Sequence, residues 1–203
     1  MERGKLNLIL GNMFAGKTEE LIKRLRRVQE YEHKNVLVFK PKTDTRSGDN
    51  LLKTAKGDTF PAIDIESMFD VFDELRNEKF SSGKTINVIA FDEIQFFPSD
   101  VYSTIDHLLN LGHDVITAGL KLDFRGEPFI NSVSLLGLIK NDHDLLLLNS
   151  CCSICGDEAQ LPQRIINGEP AKYNDPIKLI GGNDCYQPRC HKHFILREKP
   201  PFT

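Results

Sequence analysis

The stretch GNMFAGKT, from Gly11 to Thr18, is the feature that most constrains how this chain can fold. It fits the pattern GxxxxGK(S/T), follows the apolar run Leu6–Leu10, and opens the amphipathic segment Thr18–Tyr31. A strand, a glycine-containing loop and a helix in this order are typical of a phosphate-binding loop. The alternative is an ordinary strand-to-helix turn with a surface lysine. We favour the phosphate-binding loop, which predicts a protein that binds a nucleoside triphosphate.

The residue types in this loop match what a polyphosphate needs. Gly11 and Gly16 let the backbone turn tightly and bring its N–H groups to the phosphates, and the helix N-terminus adds the positive end of its dipole. Lys17 is placed to reach the β- and γ-phosphates, and the Thr18 hydroxyl to ligate Mg²⁺. The predicted nucleotide-binding residues of the loop are Gly11, Asn12, Met13, Phe14, Ala15, Gly16, Lys17 and Thr18.

Composition and charge exclude several classes of protein. The 203 residues, 27% of them charged and 40% hydrophobic, are ordinary for a globular protein with one core and a small appendage. The net charge of −3 gives no field that would attract nucleic acid or anionic membranes. The basic stretch 23–27 is flanked by glutamates, which indicates a solvated helix face. Because we find neither a membrane-length apolar run nor a signal-peptide core, we expect a cytoplasmic protein with no nucleic-acid or membrane partner.

Short apolar runs alternate with helical candidates, which predicts an α/β fold: a mostly parallel, P-loop-type sheet with flanking helices and a ligand at the carboxyl ends of its strands. The expected strands are Leu6–Leu10, Val36–Phe39, Ile86–Phe91, Asp114–Ala118 and Leu145–Leu148. The expected helices are Glu19–Tyr31, Ser67–Glu78, Ser99–Leu111 and Asn131–Ile139, with Ser99 as an N-cap. From Asn149 the chain is rich in Cys, Gly, Pro and His. This change predicts an α/β domain over 1–148 and a smaller domain over 149–203.

A second chemical signal, Asp92-Glu93, follows the apolar run Val88–Phe91. An acidic residue at the end of a strand beside a phosphate-binding loop is placed to hold Mg²⁺. A second carboxylate next to it can take the proton of an incoming nucleophile, because phosphoryl transfer mainly needs an aligned, deprotonated acceptor oxygen. Alone, the pair is equally typical of a turn. Together with the loop, it predicts metal binding by Asp92 and a general base at Glu93.

The third signal is a set of metal ligands in the last quarter of the chain. All five cysteines lie between positions 151 and 190, and two CxxC-like pairs are separated by about thirty-five residues. This spacing favours a structural, tetrahedral Cys₃His zinc site, and the glycine after the first pair suits its tight turn. The predicted ligands are Cys152, Cys155, Cys190 and His193. The residues that could replace one of them are Cys151, Cys185 and His191. Disulfides and a redox CxxC are the competing interpretations.

Together these motifs resemble the zinc-containing, type II thymidine kinases, the family of the cytosolic vertebrate enzyme and most bacterial ones. The matching stretches are GNMFAGKT, LVFKPKTDTR (37–46), FDEIQFF (91–97), AGLKLDFRGEPF (118–129), the pair Cys152/Cys155 and IGGNDCYQPRCHKHF (180–194). They cover nearly the whole chain in the family's order. The resemblance implies transfer of the ATP γ-phosphate to the 5′-hydroxyl of thymidine or deoxyuridine, giving dTMP in deoxynucleotide salvage. It also implies a homotetramer, a structural Zn²⁺ and feedback inhibition by dTTP.

The resemblance also implies roles for particular residues. Glu93 would accept the 5′-hydroxyl proton, and the residues that serve ATP and Mg²⁺ would include Lys17, Thr18, Asp92 and Gln95. The residues that line the thymine pocket would be Met13, Phe96, Leu120, Phe124 and Phe129. The segment Leu161–Tyr186 resembles the family's lasso loop, which closes over the nucleoside. In that loop, Leu179, Ile180 and Gly181 would hold the base through the main chain, and Tyr186 would meet the 3′-hydroxyl.

Several of these residues also have a purely structural interpretation. One of Phe96 and Phe97 is expected in the core, and Met13 lies in a loop where the backbone alone would serve the phosphates. Arg125 could steady a phosphate or form a surface ion pair, and Arg46 is a similar candidate for phosphate contact. The segment 49–57 departs from the family, whose members often carry Ser-His or Ser-Arg there, in a flap over the donor. A histidine in place of the fourth cysteine is a common family variant.

Two other function classes remain open from the sequence. One is a P-loop ATPase or motor whose zinc unit grips nucleic acid, and the other is a nucleotide-sensing switch without turnover. Whether ATP turnover needs a nucleoside or a polynucleotide would discriminate the kinase from the ATPase or motor. Within the kinase interpretation, a preference for another deoxynucleoside is also open, because main-chain recognition leaves no side chain that fixes the base.

Overall fold

The computed structural model of the protein describes residues 2–44, 50–177 and 185–201. Its strands are β1 (Leu6–Gly11), β2 (Val36–Pro41), β3 (Leu51–Lys53), β4 (Thr59–Pro61), β5 (Ile63–Ile65), β6 (Val88–Phe91), β7 (Asp114–Leu120), β8 (Leu145–Leu148), β9 (Ser150–Cys151), β10 (Glu158–Ala159), β11 (Leu161–Ile166), β12 (Glu169–Pro170) and β13 (Cys185–Arg189). Its helices are α1 (Lys17–Glu30), α2 (Phe69–Ser82), α3 (Val101–Asn110) and α4 (Ile130–Ser134), with 3₁₀ turns at Ile94–Phe96, Leu135–Leu138 and Asp142–Asp144.

A six-stranded sheet in the order β5-β2-β6-β7-β1-β8 forms the centre of the molecule. Each neighbouring pair in it is parallel, which confirms the predicted mostly parallel sheet with flanking helices. Strand β7 lies between β1 and β6. The loop after β1 and the acidic pair after β6 therefore meet at the same edge of the sheet, one strand apart. We call β1–β8 with α1–α4 the sheet unit.

The sheet unit is held together by apolar burial on both faces of the sheet. Because successive residues of a strand point to opposite faces, Leu8 and Ile9, both fully buried, belong to different core clusters. Leu8 packs in the cluster that includes residues of α2 and α3, and Ile9 in the cluster that includes the buried face of α1. The continuous apolar runs of the sequence reflect this burial on both sides.

Helix α1 follows the phosphate-binding loop directly and is amphipathic. Its buried side is formed by Leu21, Leu25 and other apolar residues. On the exposed side, Glu20 accepts ion pairs from Lys23 at 3.2 Å and from Arg24 at 2.9 Å. The basic stretch 23–27 is therefore a solvated helix face with local partners, as predicted.

Several element boundaries differ from the expectations. Strand β6 begins at Val88 rather than Ile86, and the helix expected over Asn131–Ile139 is a five-residue α4 followed by a 3₁₀ turn. The prediction that Ser99 caps its helix is wrong, because Asp100 occupies the N-cap position and makes no side-chain capping bond. The antiparallel hairpin β3-β4 was not anticipated; Leu52 and Phe60 bury its inner side against the sheet unit.

Beyond Asn149 the architecture changes to short antiparallel pairs. Strands β9 and β10 pair with each other, and β12, β11 and β13 form a three-stranded sheet. We call the segment from β9 to Arg197 the cysteine unit. In the described part of this unit, the buried apolar cluster consists of Cys152, Ala159 and Cys190. Among the described residues, no helix has the length and apolar character needed to span a bilayer.

Candidate active site and metal centre

The loop between β1 and α1 has the tight backbone of a phosphate cradle. Phe14 and Gly16 both adopt positive φ, at 61° and 79°, and Gly16 is the N-cap of α1. At Gly11 a Cβ would lie 2.6 Å from the Leu148 carbonyl oxygen, so only glycine allows β1 to end this close to β8. The loop residues therefore form a compact turn at the amino end of α1, where the helix dipole favours an anion.

Side chains inside the loop are bonded back to it. The Lys17 ammonium is 8% exposed and donates to the Asn12 carbonyl oxygen at 2.8 Å. The Asn12 side-chain oxygen accepts from the Met13 N–H at 2.8 Å. The Asn12 amide also reaches the Ser150 hydroxyl at 3.4 Å, which links the loop to the cysteine unit.

The side chains of Thr18, in the first turn of α1, and Asp92, directly after β6, are in contact. The Thr18 hydroxyl donates to a carboxylate oxygen of Asp92 at 2.9 Å. Burial, together with the neighbouring Glu93 carboxylate, raises the pKa of Asp92 to about 7, although the bond from Thr18 opposes the shift. A buried acid that resists ionisation is a ready partner for a cation, which would restore its charge. A hydroxyl and a carboxylate are both oxygen ligands that Mg²⁺ accepts.

Glu93 has an unusual backbone conformation. Its φ of 53° and ψ of 43° place it in the left-handed region, which costs a non-glycine residue roughly 1–2 kcal/mol. Its N–H donates to Asp92 at 2.9 Å, and its buried carboxylate accepts from the side-chain amide of Gln95. Backbone strain of this kind concentrates at functional sites. The Gln95 side chain also accepts from the Leu120 N–H at 2.9 Å.

Aromatic side chains gather next to this acidic pair. The rings of Phe96 and Phe129 meet edge to face at 5.9 Å, and both are half-buried. Phe97 is 4% exposed and packs in the core against Phe91, so Phe97 is the structural member of the Phe96-Phe97 pair. Leu120, at the end of β7, and Met13, in the loop, are also partly or fully covered. The structure thus places predicted pocket residues near the carboxyl edge of the sheet.

Arg164 connects the two units and was missed by sequence reasoning. Its side chain, on β11, is fully buried, and its guanidinium lies 5.1 Å from the ring centre of Phe124 and 5.8 Å from that of Tyr186. A buried arginine between two aromatic rings is a cation–π arrangement. Phe124 is only 2% exposed, so in this structure it is covered by Arg164. Nothing in the local pattern around Arg164 distinguishes it from a surface arginine.

The guanidinium of a second arginine, Arg125, forms an ion pair with a neighbouring carboxylate. It pairs with buried Asp123 at 2.8 Å and lies 5.3 Å from the ring centre of Tyr173. The Tyr173 hydroxyl donates to Glu127 at 2.6 Å, and this bond raises the pKa of Tyr173. The loop 121–129 of the sheet unit is therefore fastened to the cysteine unit.

Of the predicted contacts, Leu179, Ile180, Gly181 and Arg46 lie outside the described residues.

The four predicted metal ligands come together in space. The ligand atoms of Cys152, Cys155, Cys190 and His193 all lie within 4.8 Å of one another. The shortest separations are 3.3 Å from Cys190 Sγ to His193 Nδ1, and 3.7 Å for Cys155 Sγ to Cys190 Sγ and for Cys152 Sγ to His193 Nδ1. A tetrahedron with Zn–S bonds near 2.3 Å has edges of about 3.8 Å. The donor set and spacing fit a zinc ion.

Backbone turns around the cluster support this fit. Gly156 has a φ of 78°, and its N–H donates to the Cys152 carbonyl at 2.9 Å, so the glycine is required by the turn. Although desolvation opposes it, backbone N–H groups led by that of Cys190 lower the pKa of Cys152 to about 5. Although the Asp157 N–H opposes the shift, desolvation and the neighbouring Cys190 and Cys152 thiols raise the pKa of Cys155 to about 11. Neighbouring thiolates repel one another, and a metal cation removes that repulsion.

The competing ligand assignments are less well placed. Cys151 is an exposed thiol on β9, and His191 is also exposed; neither joins the metal-ligand group found among the described residues. The side chain of Cys185 lies outside the description. Among the described cysteines, each is a free thiol, so none forms a disulfide.

Comparison with known proteins places the chain in a family. The sequence model described as "Thymidine kinase" matches residues 4–194, nearly the whole chain. The chain belongs to the thymidine kinase family. Membership supports a nucleoside kinase of the thymidine kinase type, and the Cys/His cluster is consistent with the zinc-containing kind.

This thymidine kinase family member also has a structural likeness to a helicase. The Pif1 helicase from Candida albicans matches with a TM-score of 0.42 and 11% identity, over 72% of this chain and 36% of the helicase. The chain thus spans about a third of the helicase's length. A likeness at this level carries no argument about function.

Proposed function

We propose that the protein transfers the γ-phosphate of ATP to the 5′-hydroxyl of thymidine, and of deoxyuridine, to give dTMP in deoxynucleotide salvage in the cytoplasm. The observation that carries the proposal is the meeting of Thr18, Asp92 and Glu93 at the end of the phosphate-binding loop in a member of the thymidine kinase family.

The loop Gly11–Thr18 would hold the ATP phosphates. Its backbone N–H groups and the amino end of α1 would bind the phosphate oxygens, and Lys17 would exchange its bond to the Asn12 carbonyl for the β- and γ-phosphates. Thr18 and Asp92 would hold Mg²⁺, which neutralises phosphate charge when bound. Because the two side chains already share a hydrogen bond at 2.9 Å, the ligands are preassembled.

Glu93 would act as the general base. Its carboxylate would accept the proton of the 5′-hydroxyl as the oxygen attacks the γ-phosphorus and the bond to ADP breaks. The left-handed backbone at Glu93 ends the extended course of β6, and the two carboxylates have different partners, Thr18 for Asp92 and Gln95 for Glu93. Two successive carboxylates can then serve different atoms, one the metal and the other the nucleophile.

The nucleoside would lie against the aromatic residues beside Glu93. Apolar side chains would contact the thymine ring and its methyl group, while backbone groups pair with its N3–H and carbonyl oxygens. The proposed contacts are Met13, Phe96, Leu120, Phe124, Phe129, Leu179, Ile180, Gly181 and Tyr186. Closure of the segment Leu161–Tyr186 would exclude water, which otherwise competes for the phosphoryl group.

The Cys₃His cluster would hold a structural zinc ion. Four protein ligands leave no open coordination position for water, so the metal would organise the cysteine unit rather than take part in the reaction. We further propose the division into domains 1–148 and 149–203, a homotetramer, and feedback inhibition by dTTP, all by resemblance to the family.

The test is transfer of labelled γ-phosphate from ATP, with thymidine, deoxyuridine, deoxycytidine, single-stranded DNA or no acceptor. The proposal predicts labelled dTMP and dUMP, little product from deoxycytidine, and no stimulation of phosphate release by DNA. ATP hydrolysis that is indifferent to thymidine, or stimulated by DNA, would contradict it.

A further inference from the structure

Gln95 joins the acidic pair to the neighbouring strand. It lies in the 3₁₀ turn that follows Glu93 and is 6% exposed. Its Oε1 accepts from the Leu120 N–H at 2.9 Å, and its Nε2 donates to the Glu93 carboxylate. Leu120 is the last residue of β7 and begins the loop that carries Phe124 and Phe129. One buried side chain thus touches both the proposed base and the start of the proposed nucleoside pocket.

The orientation of this amide follows from its partners. A backbone N–H can only donate, so the group that faces Leu120 must be the amide oxygen. The NH₂ group then has to face Glu93, where it donates to the side-chain carboxylate. Both ends of the amide are satisfied in one orientation only, because a flipped amide would place two donors together at Leu120.

The backbone at Gly119 is shaped around this contact. A Cβ on Gly119 would lie 2.4 Å from the Ile94 side chain and 2.8 Å from Oε1 of Gln95. Any other residue would therefore push the end of β7 away from the turn. The close approach that brings the Leu120 N–H to Gln95 depends on the absence of that side chain.

We propose that Gln95 is a positioning residue that holds Glu93 and Leu120 in a fixed relation. The general base and the nucleoside pocket then keep the same distance and orientation to each other. The NH₂ group fixes one carboxylate oxygen of a residue whose backbone is strained, and the oxygen ties that arrangement to β7. Misplacement of a reacting group by about 1 Å can cost 100-fold in rate. The kinetic half of this inference rests on the proposed function; the structural half does not.

The test separates the two ends of the amide. Gln95→Glu keeps an oxygen for the Leu120 N–H but loses the donor to Glu93, whereas Gln95→Met loses both. Asn87→Asp is the matched control, because Asn87 likewise accepts from a backbone N–H, that of Asn35 at 3.0 Å, and lies directly before β6, at the end of that strand opposite Glu93. The measurements are kcat and KM for thymidine, the melting temperature, and hydrogen exchange of the Leu120 amide by NMR on the full chain.

We expect Gln95→Glu to lower kcat about 10- to 100-fold, with KM for thymidine within about threefold and the Leu120 amide still protected. Gln95→Met should lower kcat similarly, raise KM, and speed Leu120 exchange at least about tenfold. Asn87→Asp should leave kcat within about threefold of wild type and the Leu120 amide protected.

Two results would overturn the proposal: a kcat within twofold of wild type in Gln95→Glu, or Leu120 exchange in Gln95→Met as slow as in wild type. If Gln95→Met does not fold, Gln95→Glu alone decides the kinetic half. If the wild-type protein phosphorylates no nucleoside, the proposed function fails, and Leu120 exchange still decides whether Gln95 joins the two elements.

Discussion

The sheet unit and the cysteine unit are stabilised in different ways. The sheet unit buries two large apolar clusters, one on each face of its six strands. The buried cluster of the cysteine unit has three members, two of which are metal-ligand candidates. The first can position Thr18, Asp92 and Glu93 by packing alone. We expect the second to depend on a metal and on its contacts with the sheet unit, such as those of Arg164 and Tyr173. We infer that the phosphoryl chemistry belongs to the sheet unit, and that nucleoside binding is shared, with the cysteine unit supplying the proposed main-chain contacts to the base.

Removal of a metal ligand should have the largest effect and tests most strongly whether the two units are stabilised differently. Cys155→Ser should abolish zinc binding and unfold the cysteine unit, because metal-binding free energy is folding free energy in such small units. We expect KM for thymidine to rise at least about 30-fold, while ATP affinity changes less than about threefold, since the loop is in the other unit. Zinc analysis, calorimetry with ATP and steady-state kinetics measure these effects. Cys151→Ser, at an exposed thiol outside the cluster, is the control. Zinc loss with an unchanged KM would contradict the division of labour.

A cavity in the sheet unit should lower the free energy of unfolding without affecting zinc binding. Leu8→Ala truncates a fully buried side chain in the central sheet and should lower the free energy of unfolding by about 2–5 kcal/mol. Zinc stoichiometry should stay unchanged. Urea unfolding of wild type, Leu8→Ala and the control Leu147→Ala measures the loss of stability. Leu147 is 55% exposed. Equal losses at both leucines would mean that the sheet is not the main source of stability.

The pH dependence of stability tests the burial of Asp92 in the sheet unit, because burial raises the pKa of this residue from 3.8 to about 7. Between about pH 4 and pH 7 the unfolded chain has lost this proton while the folded chain keeps it, so this residue makes stability fall as pH rises. Asp92→Asn removes that penalty and should be more stable than wild type at pH 8 by on the order of 1–4 kcal/mol, without nucleotide or Mg²⁺. The gap should shrink towards pH 5. Urea unfolding at both pH values tests this, with Asp58→Asn as a surface control. A gap that does not depend on pH would rule out the buried-carboxylate explanation.

The smallest expected effect concerns a bond between the two units. Tyr173→Phe removes the hydrogen bond to Glu127 and should cost about 1 kcal/mol. KM for thymidine should rise about two- to sixfold, with kcat unchanged, because the bond fastens the pocket loop and not the base. Tyr31→Phe, at a position 77% exposed, is the control. A fall in kcat without a change in KM would place Tyr173 closer to the chemistry than we infer.

The predictable part of the fold is the part with buried, regular elements. The strands around Leu8, Val38, Ala90 and Ile116 carry continuous apolar runs because both faces of the sheet are covered. The hairpin β3-β4 escaped prediction since each three-residue strand buries a single side chain, which is too short for a period. The prediction of a Ser99 cap was wrong because the next residue, Asp100, is the N-cap of α3.

For the site, the sequence predicts what is local and misses what is distant. The loop Gly11–Thr18, the pair Asp92-Glu93 and the CxxC pair are each contiguous, so residue type and spacing reveal them. The bond from Gln95 to Leu120 spans 25 residues, and the position of Arg164 between two rings depends on strand pairing with Tyr186. Neither has a sequence signature. The roles of the individual site residues therefore remain proposals.

The most direct test of the central claim is single-turnover transfer of labelled γ-phosphate from ATP to saturating thymidine, comparing wild type, Glu93→Gln and Cys155→Ser. We predict that Glu93→Gln lowers the rate of the chemical step by about 100-fold or more while thymidine affinity is kept. Cys155→Ser should lose thymidine affinity and keep ATP binding. A wild-type rate in Glu93→Gln, or loss of ATP binding in Cys155→Ser with thymidine affinity intact, would contradict the assignment of the chemistry to the sheet unit and of part of the nucleoside binding to the cysteine unit.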